Sequence, residues 1–171
     1  MRRTCLALLS GFLLLAAGAP AAADRTRPQP SATVSVTLSE ELREKAVSTD
    51  GLAEIEALAE ELEGDVAREL SRTGVMIGGR VELVLEDAKP NRPTRKEMSD
   101  RPGLSFRSFS VGGARITGRT VSFDGKVTPI RYDWYATDIT DARHGSVWAD
   151  AERTFDSFAR RLSRGQLYAL R

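Results

Sequence analysis

Between Leu52 and Leu70 the apolar residues recur at steps of three and four: Leu52, Ile55, Leu58, Ala59, Leu62, Val66 and Leu70. Glu54, Glu56, Glu60, Glu61, Glu63, Asp65, Arg68 and Glu69 fill the positions between them. This spacing puts one apolar stripe along an α-helix and leaves the rest of its surface charged. Such a helix is stable only when its stripe is covered, so the chain must supply a sheet or a second helix to cover it. Ser48, Thr49 and Asp50 are candidate N-caps, and acidic residues crowd the first turns, where the helix dipole favours them. Gly74 is a natural stop. Gly64, inside the stripe, weakens the helix by about 1 kcal/mol relative to alanine.

The covering surface is read from alternation. Val34, Val36 and Leu38 share one face of a strand over 32–38, and Val81, Leu83 and Leu85 do the same over 80–88. Strand character also runs through 104–111 and, after a bulge or bend at Gly112-Gly113, through 114–123. The apolar parity changes between Ile116 and Val121, so a bulge at Gly118 is expected to reset the phase. Asp124-Gly125 predicts a type I′ hairpin. The returning strand, 127–139, carries Ile130, Tyr132, Trp134 and Ala136 on one face, with Arg131, Asp133, Tyr135 and Thr137 on the other. A second helix places Trp148, Ala151, Phe155, Phe158, Ala159 and Leu162 on one stripe, with Ser146 as its expected N-cap and Arg160, Arg161 and Arg164 at its end. Residues 39–50 read either as a short helical turn or as a loop. The expected fold is therefore α+β: a mostly antiparallel sheet of four to five strands, order β-α-β-β-β-α, with two amphipathic helices on one face.

Ahead of this domain, Met1-Arg2-Arg3 is followed by an apolar run from Leu6 to Ala17 and by Ala21-Ala22-Ala23. This is the layout of a secretory signal peptide, and its apolar part is too short for a spanning helix. The expected organisation is a signal at 1–23, a flexible start at 24–31, and one α+β domain over 32–171 with a long polar loop at 89–102. Cleavage removes Cys5, the single cysteine. The exported chain then forms no disulfide, thiolate metal site or cysteine nucleophile, which suits a bacterial periplasm. Cys5 precedes the apolar run instead of following it, which argues against lipid attachment. Loss of Arg2 and Arg3 takes the formal charge from +1 to −1. That balance excludes a general nucleic-acid binder, and no second apolar run is long enough to cross a bilayer.

Catalytic and metal signatures are sparse. His144 is the single histidine. A Ser-His-Asp triad would need it beside Asp138 or Asp141, and no Gly-x-Ser-x-Gly elbow accompanies it. One histidine cannot build a zinc site, so no metal and no cofactor are expected. Asp133, Asp138, Asp141 and Asp150 cluster around the last strand and helix, where a pair of them could serve glycan hydrolysis. Gly112-Gly113-Ala114 lacks the spacing of a phosphate loop. Trp134, Trp148, Tyr132, Phe155 and Phe158 are expected in the core, with Trp148 the most plausible exception. Lys89, Arg92, Arg95, Lys96 and Arg101 outnumber Glu97 and Asp100 in the 89–102 loop, and long loops often carry binding function. Arg92, Arg95, Lys96, Arg101, Trp148 and Tyr135 are thus the candidate contacts for a ligand or partner, either an envelope protein or a glycan. No catalytic residue is assigned. The expected function is that of an exported, non-enzymatic binding module of the envelope; a carboxylate-dependent glycan hydrolase and a small-ligand carrier built on Trp134 and Trp148 are the alternatives.

Gly103-Leu104-Ser105-Phe106, Ser110-Val111-Gly112-Gly113-Ala114, the glycine-turned hairpin, Trp148-Ala149-Asp150-Ala151 and Phe155 to Leu162 form a recognisable texture. It resembles small exported proteins of Gram-negative bacteria whose function is unassigned. It is also distantly similar to envelope lipoprotein domains. The resemblance implies an α+β domain at the bacterial envelope and transfers no catalytic residue.

Overall fold

The computed structural model describes residues 32–140 and 145–167. The signal peptide, the flexible start, His144 and Asp141 lie outside the described residues. In chain order the elements are β1 (Thr33–Leu38), α1 (Glu40–Lys45), a π-helical turn (Ala46–Asp50), α2 (Leu52–Thr73), β2 (Arg80–Lys89), α3 (Arg95–Asp100), β3 (Gly113–Val121), β4 (Val127–Tyr135) and α4 (Ala149–Ser163). The fold is α+β. One four-stranded sheet runs in the order β1-β2-β3-β4. β2, β3 and β4 pair antiparallel, while β1 lies parallel to β2. The sheet is therefore mixed, because α2 carries the chain back across the sheet between β1 and β2, as a parallel pair requires.

The two long helices pack on one face of the sheet and on each other, α2 over β1 and α4 over β3 and β4. The stripe read from the sequence is the buried one: Ile55, Leu58, Leu62, Val66 and Leu70 of α2 meet Phe155, Phe158 and Leu162 of α4. Val81, Leu83, Leu85, Ile116 and Ile130 rise from the sheet to complete the core. Tyr132 and Phe158 approach with ring centroids 6.0 Å apart, and Arg153 and Arg161 lie over the Trp134 and Tyr132 rings. The opposite sheet face is polar. There Glu82 pairs with Arg119 at 2.6 Å, and Thr117 donates to Glu86 at 2.7 Å.

Several expectations are corrected. Residues 104–111 form turns instead of a strand. Their backbone bonds run to the 89–102 segment instead, as when Ser110 N donates to Asn91 O. That segment is not a bare polar loop. It contains α3, held by a reciprocal cap in which the Thr94 hydroxyl accepts from Glu97 N while Glu97 accepts from Thr94 N. Asn91, Pro93 and Thr94 in it are buried. β3 keeps its register through Gly118, opposite Leu83 and Ile130, and the irregularity falls at Glu86 of β2. The parity change arises because Thr120 takes the inward position after Gly118, leaving Phe123 outside. The Asp-Gly turn is not type I′, since Asp124 does not adopt positive φ. Gly125 N donates to Ser122 O and Ser122 N to Lys126 O, with Gly125 at φ +82. That is a three-residue loop of a type I turn followed by a left-handed glycine. β4 ends at Tyr135, short of Ile139. Neither long helix uses its expected side-chain cap: α2 starts from Gly51 and α4 from Trp148, while Gly74 closes α2 as expected.

Candidate functional site

A cleft of about 490 Å³ opens where β2 ends and the 89–110 segment folds back. Its walls are apolar at Pro90, Pro93, Leu104 and Phe109, and charged at Lys45, Asp50, Asp87, Lys89, Arg92, Glu97 and Arg101. The size is that of a small-molecule site.

The wall that carries Leu104 and Phe109 is held by a buried knot. Asn91 is completely buried, and its amide group donates to Asp150 Oδ2 and to Ser110 O. Its Oδ1 accepts from Asp150 N at 2.8 Å, and Asp150 Oδ2 also accepts from Gly112 N at 3.0 Å. A Cβ on Gly112 would sit 2.6 Å from Lys89 O and 2.8 Å from Asn91 Oδ1, so only glycine allows this approach. The knot ties the start of α4 to the cleft wall. It also accounts for Asp150, whose carboxylate is consumed structurally.

At the other wall, the π-helical turn closes with Gly51 N donating to Ala46 O at 2.8 Å. This turn brings Lys45 and Asp50 together, with Nζ 3.6 Å from Asp50 Oδ2. Lys45 donates at 3.0 Å to Asp87 Oδ1 and at 3.0 Å to Ala88 O. Tyr135 donates its hydroxyl proton to Asp87 Oδ2 at 2.8 Å. Burial alone would raise the Asp87 carboxyl, but the bonds from Lys45 and Tyr135 hold it below the ordinary carboxylate value. Burial, reinforced by Asp87, pushes the Tyr135 phenol well above its usual value. Asp50 is 2% exposed, and its Oδ2 accepts no hydrogen bond. Burial is the main reason its carboxyl is raised; Lys45 opposes this and Glu97 adds to it.

The sign of the Asp50 effect is testable. Its folded-state pKa lies above the ordinary 3.8, so the native state binds the proton more tightly. The stabilisation this provides is present at low pH and is lost as pH rises from about the ordinary value through the folded one. Asp50→Asn should therefore melt at or above the wild-type temperature at pH 7. The wild type should gain on the variant as pH falls toward 4. A variant that melts far below wild type at pH 7 would contradict this. Thermal melts across pH make the measurement.

The sequence-derived candidates divide. Arg92 and Arg101 line the cleft, and Tyr135 reaches its edge through Asp87. Arg92 is committed to structure, donating from Nε to Gly145 O at 2.9 Å and from its terminal nitrogen to Phe106 O. Arg101 is exposed and, like Lys89, has no acidic partner among the described residues. Arg95 is exposed on α3, and Lys96 pairs with Asp100 at 2.6 Å; neither lines the cleft. Trp148 is 8% exposed and packs in the core, its indole N–H donating to Glu54. It does not line the cleft, and the start of α4 is tied inward by the Asn91 knot. Among the described carboxylates proposed for hydrolysis, each has its own setting. Asp133 is exposed on the polar sheet face, Asp138 is exposed and accepts from Thr140 N, and Asp150 is buried in the knot. Sequence reading missed Lys45, Asp50, Asp87 and Glu97. Opposite charges five residues apart do not face each other on an α-helix, so nothing marked Lys45 and Asp50 as a pair.

Among the described residues no cluster of histidine, cysteine or carboxylates fits a metal ion, and no helix is long and apolar enough to cross a membrane. No family model and no curated protein matches the chain. A minor lipoprotein from Acinetobacter baumannii is similar in structure at 14% identity, with a TM-score of 0.33, covering 80% of this chain and 95% of that one. A candidate lipoprotein from Caulobacter crescentus is similar at 11% identity and a TM-score of 0.32, covering 78% of this chain and 86% of that one.

Proposed function

We propose that this chain is a non-enzymatic binding domain of the bacterial envelope, exported to the periplasm, and that it takes its ligand in the cleft beside α3. The observation that supports this reading is the cleft: about 490 Å³, apolar walls, and two exposed cations at its mouth with no acidic partner among the described residues. Clefts of that size with a few converging polar groups are the usual form of a ligand site. Of the described carboxylates that a hydrolase would have used, Asp150 is spent on structure and Asp133 and Asp138 are exposed. Trp148 is packed in the core and Trp134 is covered by Arg153, and neither lines this cleft, which disfavours a carrier built on them.

The test is thermal-shift screening of the purified protein against envelope extract separated into small molecules, glycans and proteins, with Leu104→Trp as the blocking variant. Leu104 is half-buried at the cleft wall, so an indole there fills the space without disturbing the core. One fraction should raise the wild-type melting temperature, and Leu104→Trp should shrink that shift, as an affinity loss of about tenfold requires. A response from no fraction, or one that Leu104→Trp leaves intact, overturns the reading.

A further inference from the structure

We propose that the cleft takes an amphipathic organic anion, a carboxylate or phosphate on an apolar body, its charge matched by Lys89 and Arg101. The proposal rests on the cleft being the ligand site and deepens that reading. It follows from which lining charges the protein already matches by itself. Each of the three carboxylates in the lining has a partner. Asp87 accepts from Lys45 Nζ at 3.0 Å and from the Tyr135 hydroxyl at 2.8 Å. Glu97 accepts from Thr94 N at 3.0 Å in the cap of α3. Asp50 is 2% exposed and forms an ion pair with Lys45 at 3.6 Å. A ligand cation would therefore meet carboxylates that are already engaged.

The cations divide differently. Lys45 serves Asp50 and Asp87, and Arg92 is engaged by the carbonyls of Gly145 and Phe106. Lys89 and Arg101 line the cleft, are exposed, and have no side-chain hydrogen bond or ion pair among the described residues. The lining thus holds four cations against three carboxylates, and the surplus lies with these two. An incoming anion gains their attraction without breaking a bond inside the protein. The remaining wall selects the body of the ligand. Pro90, Pro93, Leu104 and Phe109 give apolar surface within a volume of about 490 Å³, so a ligand that covers them gains by burial. A bare inorganic anion leaves these walls uncovered, and a neutral apolar molecule leaves both cations unmatched.

Isothermal titration of the full protein with octanoate, octyl phosphate, octylammonium and 1-octanol, and with acetate and inorganic phosphate, tests this. One of the two octyl anions should bind at least about tenfold more tightly than octylammonium and than its own bare anion. The double substitution Lys89→Ala with Arg101→Ala removes two exposed side chains, with no effect expected on folding. It should weaken that octyl anion about tenfold and leave 1-octanol unchanged. Arg95→Ala removes an exposed cation of α3 that does not line the cleft, and should leave the affinity unchanged. Octylammonium or 1-octanol binding as tightly as the octyl anions overturns the assignment, as does acetate or inorganic phosphate doing so. An octyl anion indifferent to the double substitution, or equally sensitive to Arg95→Ala, overturns it too. Binding by none of the probes overturns it equally. If an extract component depends on Leu104 but not on Lys89 and Arg101, the anion assignment fails while the cleft stands. If octyl-anion binding survives Leu104→Trp, the cleft reading itself fails.

Discussion

Asn91→Ala is expected to lower folding stability by about 3 kcal/mol, a melting shift of roughly 10 °C for a domain of this size. The side chain is completely buried and makes three hydrogen bonds, two of them with Asp150. Removing it leaves the Asp150 carboxylate, itself 4% exposed, with Gly112 N and without its amide donor. A buried charge stripped of a donor costs more than the bond was worth, because it keeps its desolvation penalty. The truncation also leaves a void between the 89–110 segment and α4. Urea unfolding measures the loss, and a double-mutant cycle with Asp150→Ala should show coupling of about 1–3 kcal/mol. Additive single effects would mean that the knot does not act as a unit. Because the knot positions the wall that carries Leu104 and Phe109, ligand binding should fall even at temperatures where the variant is folded.

Gly118→Ala should be at least as costly, about 4 kcal/mol, and should act on the sheet instead of the cleft. Gly118 sits mid-strand in β3 at φ +153, a backbone region that L side chains rarely adopt. A Cβ there would stand 2.1 Å from Glu82 O and 2.9 Å from Leu83 Cα. Both obstacles are backbone of the neighbouring strand, so no rotamer change relieves them. β2 and β3 would have to separate or Gly118 would have to change conformation, and either breaks the ladder that joins Leu83 and Ile130 across it. Calorimetric melting checks this. A loss below about 1 kcal/mol would show that the strand relaxes locally instead.

The helices and most strands were legible because burial enforces period on sequence. The α2 stripe from Ile55 to Leu70 and the α4 stripe from Ala151 to Leu162 are where the apolar spacing put them, as are β1, β2 and the inward face of β4. Positions without such enforcement misled. Leu104 to Phe109 alternates like a strand, yet its backbone finds partners in turns and in the 89–102 segment. Gly118 reads as a bulge because a glycine inside a strand pattern reports that something is close, but not what. Here it is the backbone of β2.

The candidate site was legible only at its rim. Arg92 and Arg101 stood out as basic residues in a long polar segment, and local sequence cannot tell which arginine is pinned by carbonyls and which is free of acidic partners. The inner residues come from four separate stretches: Lys45 from the end of α1, Asp50 from the π-helical turn, Asp87 from β2 and Glu97 from α3. No spacing rule joins them. Periodicity, caps and turn chemistry act over a few residues, so the sequence determined which segments are helix or strand and which faces are buried. The cleft depends on contacts between residues up to 59 positions apart, such as Asn91 with Asp150, and on the parallel placement of β1. Both exist only once the chain has folded back on itself, and so the tertiary structure decided them.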